Sequence, residues 1–160
     1  MEPIIRKFLD QDINYVMDID LKSYFTPFTL DEWRAIADDA TCELLVATCE
    51  GVPVGVVIWR KNRKEKEGEI VRLGVKPCER NSGIGSQLLE AVEYEALRVR
   101  LDKLYMVVPE VKCSPGDPDD VSVWLRVNGF RATLPIIPAV TQMYGRSIDG
   151  YRFEKPVRND

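Results

Sequence analysis

The sequence predicts a mixed α/β domain: one sheet of six to seven strands, mostly antiparallel, with a central parallel pair and about four flanking helices. Three observations predict it. An apolar strand, a glycine-bearing loop and an amphipathic helix follow one another over Glu69–Leu89, and a second apolar strand follows at Lys103–Val108. A strand–helix–strand unit of this kind requires a parallel pair joined by a right-handed crossover. β-rich segments flank the unit on both sides, at Glu43–Arg60 and from Ala132 to Val157. The length of 160 residues suits one domain spanning residues 1–160. A chain of that size buries roughly 70% of its unfolded surface, enough for a core.

Ile4–Phe8 reads as the first strand. Asp10 is placed to cap a helix whose apolar face carries Ile13, Val16, Met17 and Leu21. Thr29-Leu30-Asp31-Glu32 is a capping box that opens a second short helix with Trp33 and Ile36. Glu43–Cys49 and Val52–Arg60 are β-rich runs around Glu50-Gly51, the pattern of a hairpin. A charged turn separates them from the strand Glu69–Val75. In the next helix Ile84, Leu88, Val92 and Ala96 recur every four residues, with Leu89 and Val99 alongside. Lys103–Val108 is a continuous apolar run suited to a buried strand. Asp117 and Pro118 form a cap and first-turn pair for a helix from about Pro118 to Asn128, closed by Gly129. The remainder, to Val157, reads as one or two strands around a loop containing proline and tyrosine.

Composition narrows the function classes. Hydrophobic content of 45% and charged content of 30% describe an ordinary globular protein. No apolar run reaches the roughly 20 residues of a membrane span. The N-terminal MEPIIRKFLDQD lacks the basic-then-apolar order of a secretory signal, so the expected location is the cytoplasm, with no membrane partner. A net charge of −4 argues against a nucleic-acid surface and is compatible with an amine substrate. The basic run Arg60–Lys64 reads as a solvated turn. With no histidine, Cys-His and Ser-His-Asp catalysis are excluded. None of Cys42, Cys49, Cys78 and Cys113 forms a C-x-x-C pair, so no metal is expected and the thiols read as buried and free.

The loop at Arg80–Gly85 carries the strongest chemical signal. A helix start presents unpaired N–H groups and the positive end of its dipole, glycines admit an anion close to the backbone, and an arginine offers a charged fork to phosphate oxygens. The strand Glu69–Val75 followed by Arg80, Asn81, Ser82, Gly83, Ile84 and Gly85 resembles the GNAT superfamily of acetyl-CoA-dependent N-acetyltransferases. In that superfamily the fourth strand precedes [Q/R]-x-x-G-x-[G/A]. Its second marker, a later helix ending in Gly-Phe, is matched by VSVWLRVNGF at Gly129-Phe130. The likeness covers nearly the whole chain, which is also loosely similar to the RimI-like branch. It implies the GNAT fold and acetyl-CoA as donor, bound where the two parallel strands diverge. Leu73, Gly74, Val75, Arg80, Asn81, Ser82, Gly83, Ile84, Gly85 and Ser86 are the expected donor-binding residues. The superfamily bulges this strand to free N–H and C=O groups for the pantetheine, and Gly74 is the candidate bulge, since interior glycines mark bulges or close packing. A freed N–H near Leu73 is a candidate oxyanion donor.

An amine acceptor, a protein N-terminus, a lysine or a small molecule, must lose a proton before attack, because such amines have pKa values of about 8 to 10.4. Glu69 is the leading candidate base, in the E-I-V context where histone acetyltransferases of this superfamily place one; Glu67 and Glu110 are alternatives. The competing reading of Glu69 and Glu67 is a solvated charged turn. The resemblance breaks at the general acid. Many members carry tyrosine four residues before the Gly-Phe glycine, and here that position is Leu125, while Pro118 stands where the helix often starts with asparagine. Tyr144 and Tyr105 are the possible substitutes. Phe25, Phe28, Trp33 and Tyr144 are acceptor-site candidates, against a packing role for each. Two rivals remain: a non-catalytic acyl-CoA-binding module, favoured by Leu125, and an unrelated α/β interaction domain. The sequence leaves a homodimer open.

Overall fold

The computed structural model describes residues 2–157 apart from residue 25, residues 114–119 and residue 144. Its strands are β1 (Ile4–Lys7), β2 (Cys42–Cys49), β3 (Val52–Asn62), β4 (Glu67–Val75), β5 (Lys103–Pro109), β6 (Arg131–Met143) and β7 (Arg146–Pro156). They form one sheet in the order β1-β2-β3-β4-β5-β7-β6. Every neighbouring pair is antiparallel except β4–β5. The helices are α1 (Ile13–Ser23), α2 (Leu30–Asp38), α3 (Ile84–Arg98) and α4 (Ser122–Val127). This is the mixed sheet with a central parallel pair that the sequence predicts.

The two-residue period of the strands splits the apolar residues between two cores. Leu44, Val46, Val56 and Ile58 pack with Val16, Ile19 and Trp33 from α1 and α2. Their neighbours Leu45, Ala47, Val57 and Trp59 pack on the other face with Leu88, Leu89, Val92 and Ala96 of α3 and Leu125 of α4. Covering both faces explains why β2 and β3 read as continuous apolar runs. Each fully buried aliphatic side chain contributes about 1.5–3 kcal/mol relative to exposure.

Two helix starts differ from expectation. Asp10–Asp12 form a short 3-10 turn before α1, and the carboxylate that anchors it belongs to Asp12. Asp12 accepts the Leu9 N–H at 2.8 Å and two bonds from the Arg6 guanidinium at 2.7 and 2.9 Å. Asp12 is buried, and the paired guanidinium on β1 makes that position tolerable for a charge. Leu21, expected on the apolar face of α1, is exposed. The α4 helix starts at Ser122, whose N–H and Oγ both donate to Asp120 Oδ1 at 2.9 and 2.6 Å. The expected cap at Asp117 and Pro118 lies outside the described residues. Both remaining helix signals stand: Thr29 and Glu32 form the reciprocal box of α2, and the Phe130 N–H closes α4 on the Leu125 carbonyl at 2.9 Å.

The bulge in β4 lies at Val71, not at Gly74. Ile58 pairs with Arg72 and Trp59 with Ile70, which leaves Val71 as the extra residue, whereas Gly74 pairs regularly with Val56. Val71 and Arg72 are consecutive, yet both reach the α1–α2 side: Val71 packs on that core and Arg72 bonds Asp20 of α1. Gly74 serves close packing instead. A Cβ there would lie 2.9 Å from Ser23 Oγ and 3.0 Å from Ile19 Cγ2, so its absence lets α1 settle on the strand.

Candidate active site

Parallel pairing between β4 and β5 lasts three rungs, Glu67–Lys103, Gly68–Leu104 and Glu69–Tyr105. Past them the strands part. β4 stays with β3 as far as Val75–Gly55, and β5 stays with β7 as far as Pro109–Gly150. A gap therefore opens toward the carboxyl ends of the two strands, and beyond the third rung the β5-facing edge of β4 has no strand to pair with among the described residues.

The chain leaves β4 at this gap and returns as α3. Pro77–Glu79 form a 3-10 turn, Asn81 and Gly83 adopt positive φ of 64° and 86°, and α3 begins at Ile84. The first helical N–H with an intrahelical carbonyl is that of Gln87, bonded to Gly83, so those of Ile84, Gly85 and Ser86 precede the ladder and face the loop. No acidic residue stands in the first turn of α3, so no carboxylate of that turn opposes the helix dipole. The two motif glycines have different work. At Gly83 the positive φ, which L side chains rarely adopt, is the requirement. At Gly85 a Cβ would lie 3.0 Å from Trp124 Cζ2, so its smallness lets α4 pack against the start of α3.

Arg80 turns inward. Its Nε donates to the Val75 carbonyl at 2.9 Å, and its Nη2 donates to the Lys22 carbonyl at 3.2 Å and to Ser23 Oγ at 3.3 Å. The guanidinium thus ties the end of β4 to the end of α1, a role that sequence reasoning, which aimed it at phosphate, does not supply.

Tyr24, immediately after α1, was absent from the sequence candidates, yet it reaches the free edge of β4. The Leu73 N–H donates to Tyr24 Oη at 2.8 Å, and the Tyr24 hydroxyl donates to the Leu73 carbonyl at 3.0 Å. Burial pushes its phenol above the ordinary value, which keeps it protonated and able to donate. The Arg72 guanidinium stacks over the Tyr24 ring at 4.3 Å and the Phe28 ring at 3.7 Å. Arg72 Nη1 bonds Asp20 Oδ1 at 2.6 Å, Nη2 bonds the Thr26 carbonyl at 2.7 Å, and the Phe28 N–H bonds Asp20 Oδ2 at 2.7 Å. This network fixes the α1–α2 connection over β4. Its only sequence signal was a tyrosine in an aromatic segment, and no spacing rule singles that residue out.

The expected carboxylates sit where the gap closes. Glu69 belongs to the last rung before the strands part, opposite Tyr105, and Arg60 Nη1 lies 3.4 Å from its Oε1. Glu67 is paired to Arg152 at 3.1 Å and Lys103 at 3.5 Å. Burial, and next the Glu69 carboxylate, push the Tyr105 phenol upward, and Arg152 stacks on its ring at 3.7 Å. Glu110 is exposed. A cavity of about 440 Å³ lined by Glu65, Glu67, Asp102, Lys103, Glu154 and Pro156 lies at the opposite ends of these strands from the glycine loop.

The structure therefore gathers Leu73, Gly74, Val75 and residues 80–86 around one gap, with Glu69 at its vertex. Phe28 borders it through Arg72. Trp33 is a core residue: it is fully buried and meets Phe28 edge-on at 5.8 Å, which removes it from the acceptor surface. Leu125 is fully buried and brings no hydroxyl. Phe25 and Tyr144 lie outside the described residues.

Residues 13–130 match the acetyltransferase (GNAT) family. No curated protein matches the chain by sequence. Among solved structures, Ard1 from Thermoplasma volcanium aligns over 99% of this chain and 100% of its own, with a TM-score of 0.83 and 22% identity. The ribosomal-protein-S18-alanine N-acetyltransferase of Escherichia coli aligns over 99% and 96%, with a TM-score of 0.79 and 14% identity. Arabidopsis thaliana NAA60, solved with a bisubstrate analogue, aligns over 98% and 99%, with a TM-score of 0.79 and 13% identity.

Proposed function

Because the chain belongs to the GNAT acetyltransferase family, we propose that it moves an acetyl group from acetyl-CoA to a primary amine by direct attack. The observation that carries the reading is the parting of β4 and β5 after three rungs, beside an α3 start free of acidic residues. The arrangement fits the donor: an anion meets N–H groups at the helix start, and an amide-bearing arm meets an unpaired strand edge. Residues 80–86 would hold the pyrophosphate, with Arg80 bracing the loop, and Leu73, Gly74 and Val75 would line the arm. When bound, acetyl-CoA supplies a thioester carbonyl open to nucleophilic attack.

The chain's residues then have distinct tasks. Glu69 at the vertex takes the amine proton, directly or through water, with Arg60 holding its carboxylate. The Leu73 N–H stabilises the oxyanion. The C–N bond forms, the C–S bond breaks, and the departing thiolate takes its proton from solvent, since a thiol of pKa about 8.5 needs little help near neutrality. No nucleophile–base pair for a covalent intermediate is proposed.

A second reading has its own support. Leu125, buried and apolar, stands at the usual tyrosine position, which suits a module that binds acyl-CoA without turnover. The two separate in one experiment: release of CoA thiol from acetyl-CoA with N-terminal peptides, lysine peptides, polyamines and aminoglycosides, beside a melting control. Alanine-starting peptides come first, because the name of the Escherichia coli neighbour specifies a protein alanine. Turnover with one amine class establishes the enzyme. A melting temperature raised by acetyl-CoA with no turnover across the panel supports the binding module. Neither effect overturns both readings.

A further inference from the structure

We propose that Tyr24 is a positioning residue of the donor site: its hydroxyl holds the N–H and C=O of Leu73 in the β4–β5 gap until the donor arm takes both over. The proposal rests on the reading that the donor lies in that gap.

Four observations carry it. The Leu73 N–H and C=O both go to Tyr24, and two flanking pairs, Arg72–Ile58 and Gly74–Val56, keep β4 on β3. The Leu73 groups therefore point away from β3, into the gap. A hydroxyl is also the smallest side-chain group that donates and accepts from one atom, so one oxygen satisfies both backbone groups. An extended arm with amide and thioester groups offers the same two functions, an acceptor for the N–H and a donor for the C=O. Finally, the tyrosine arrives by construction: Gly74 admits α1 closely, Arg80 ties the Lys22 carbonyl and Ser23 to the strand end, and Arg72 supports the ring.

The consequence is an exchange. A buried, unbonded N–H and C=O would be costly, and Tyr24 removes that cost while the gap holds no donor. Donor entry must displace the hydroxyl. Since Tyr24 stands between α1 and the segment carrying Thr26 and Phe28, displacement moves the connection that borders the acceptor side.

The test is calorimetric binding of acetyl-CoA and of CoA to the full chain and to Tyr24→Phe. The ring stack over Arg72 survives in the variant and the two hydrogen bonds do not. Binding is expected to tighten by about 5- to 30-fold, because the donor no longer displaces a partner of Leu73. Unchanged or weaker binding by a folded variant overturns the proposal. Amide exchange supplies a second readout: Leu73 is expected to be protected in the free wild type, exposed in free Tyr24→Phe, and protected again in both with donor. Should the variant fold poorly, 3-fluorotyrosine at position 24 of the otherwise wild-type chain decides. A fluorine resonance that shifts on saturation with acetyl-CoA supports displacement, and an unmoved one overturns it. Binding by the wild type without these changes overturns the Tyr24 step alone; no binding by the wild type overturns the donor reading and this step with it.

Discussion

Arg72 shows how one charged residue organises a site it does not enter. Its guanidinium is nearly buried, and every contact described for it runs to α1 or the α1–α2 connection: Asp20, Thr26, Tyr24 and Phe28. Removing Asp20 leaves that charge uncompensated in the interior, which costs several kcal/mol. Asp20→Ala is expected to lose about 3–5 kcal/mol of stability in urea unfolding, with an unchanged m-value. At Arg80 the contacts run to β4 and α1, so Arg80→Ala is expected mainly to raise KM for acetyl-CoA, by about 10-fold, the value of one charge-assisted bond; an unchanged KM removes Arg80 from the donor site. Glu69→Gln is expected to lower kcat by about 100-fold or more. A kcat undiminished from about pH 6 to about pH 9 removes Glu69 from the role of base. The sequence displayed Arg80 and Glu69 as charged groups near a glycine loop. It did not display Tyr24 or the partners of Arg72, because those depend on hydrogen bonds between residues 46 to 52 apart.

At the scale of elements, the gap depends on how α1 meets β4. Gly74 sets that distance. In Gly74→Ala the new methyl would meet Ser23 Oγ and Ile19 Cγ2 at 2.9 and 3.0 Å, so the Ser23 and Ile19 side chains of α1 must give. The expected cost is about 1–3 kcal/mol in stability, with weaker acetyl-CoA binding because the Arg80 ties to Lys22 and Ser23, which brace the loop, are disturbed. A stable variant with wild-type binding would separate α1 from the donor site. The same glycine marks a limit of sequence reading. An interior strand glycine signals a bulge or a close neighbour, and only the register, with its extra residue at Val71, distinguishes them. The α3 helix was legible, since its four-residue repeat maps onto buried Ile84, Leu88, Val92 and Ala96. The start of α1 was less so: Asp10 was the expected cap, whereas the carboxylate that accepts the Leu9 N–H and pairs with Arg6 of β1 is that of Asp12.

Across the whole molecule, buried titratable groups set a pH window for stability. The Arg6 hydrogen bonds hold the Asp12 carboxyl below its ordinary value. That contribution is complete above the unfolded value of about 4 and is lost as pH falls through the lower folded value. Burial raises the Tyr24 and Tyr105 phenols, so their contribution is present below about pH 10 and is lost as pH rises through the raised values. Urea midpoints are expected to decline below about pH 4 and above about pH 10, and Asp12→Asn is expected to flatten the acid limb. An acid limb identical in the variant would remove Asp12 as its source. The sequence by itself determined the order of strands and helices, the parallel pair, the glycine loop at the start of α3 and the family. Each of these rests on local periodicity, turn chemistry or a short motif. Tertiary structure decided where the bulge lies, that the parallel pair parts after three rungs, that Trp33 is core, and that Tyr24 and Arg80 cover the free edge of β4. Those outcomes follow from which distant side chain reaches a backbone group first, and packing settles that once both faces of the sheet are covered.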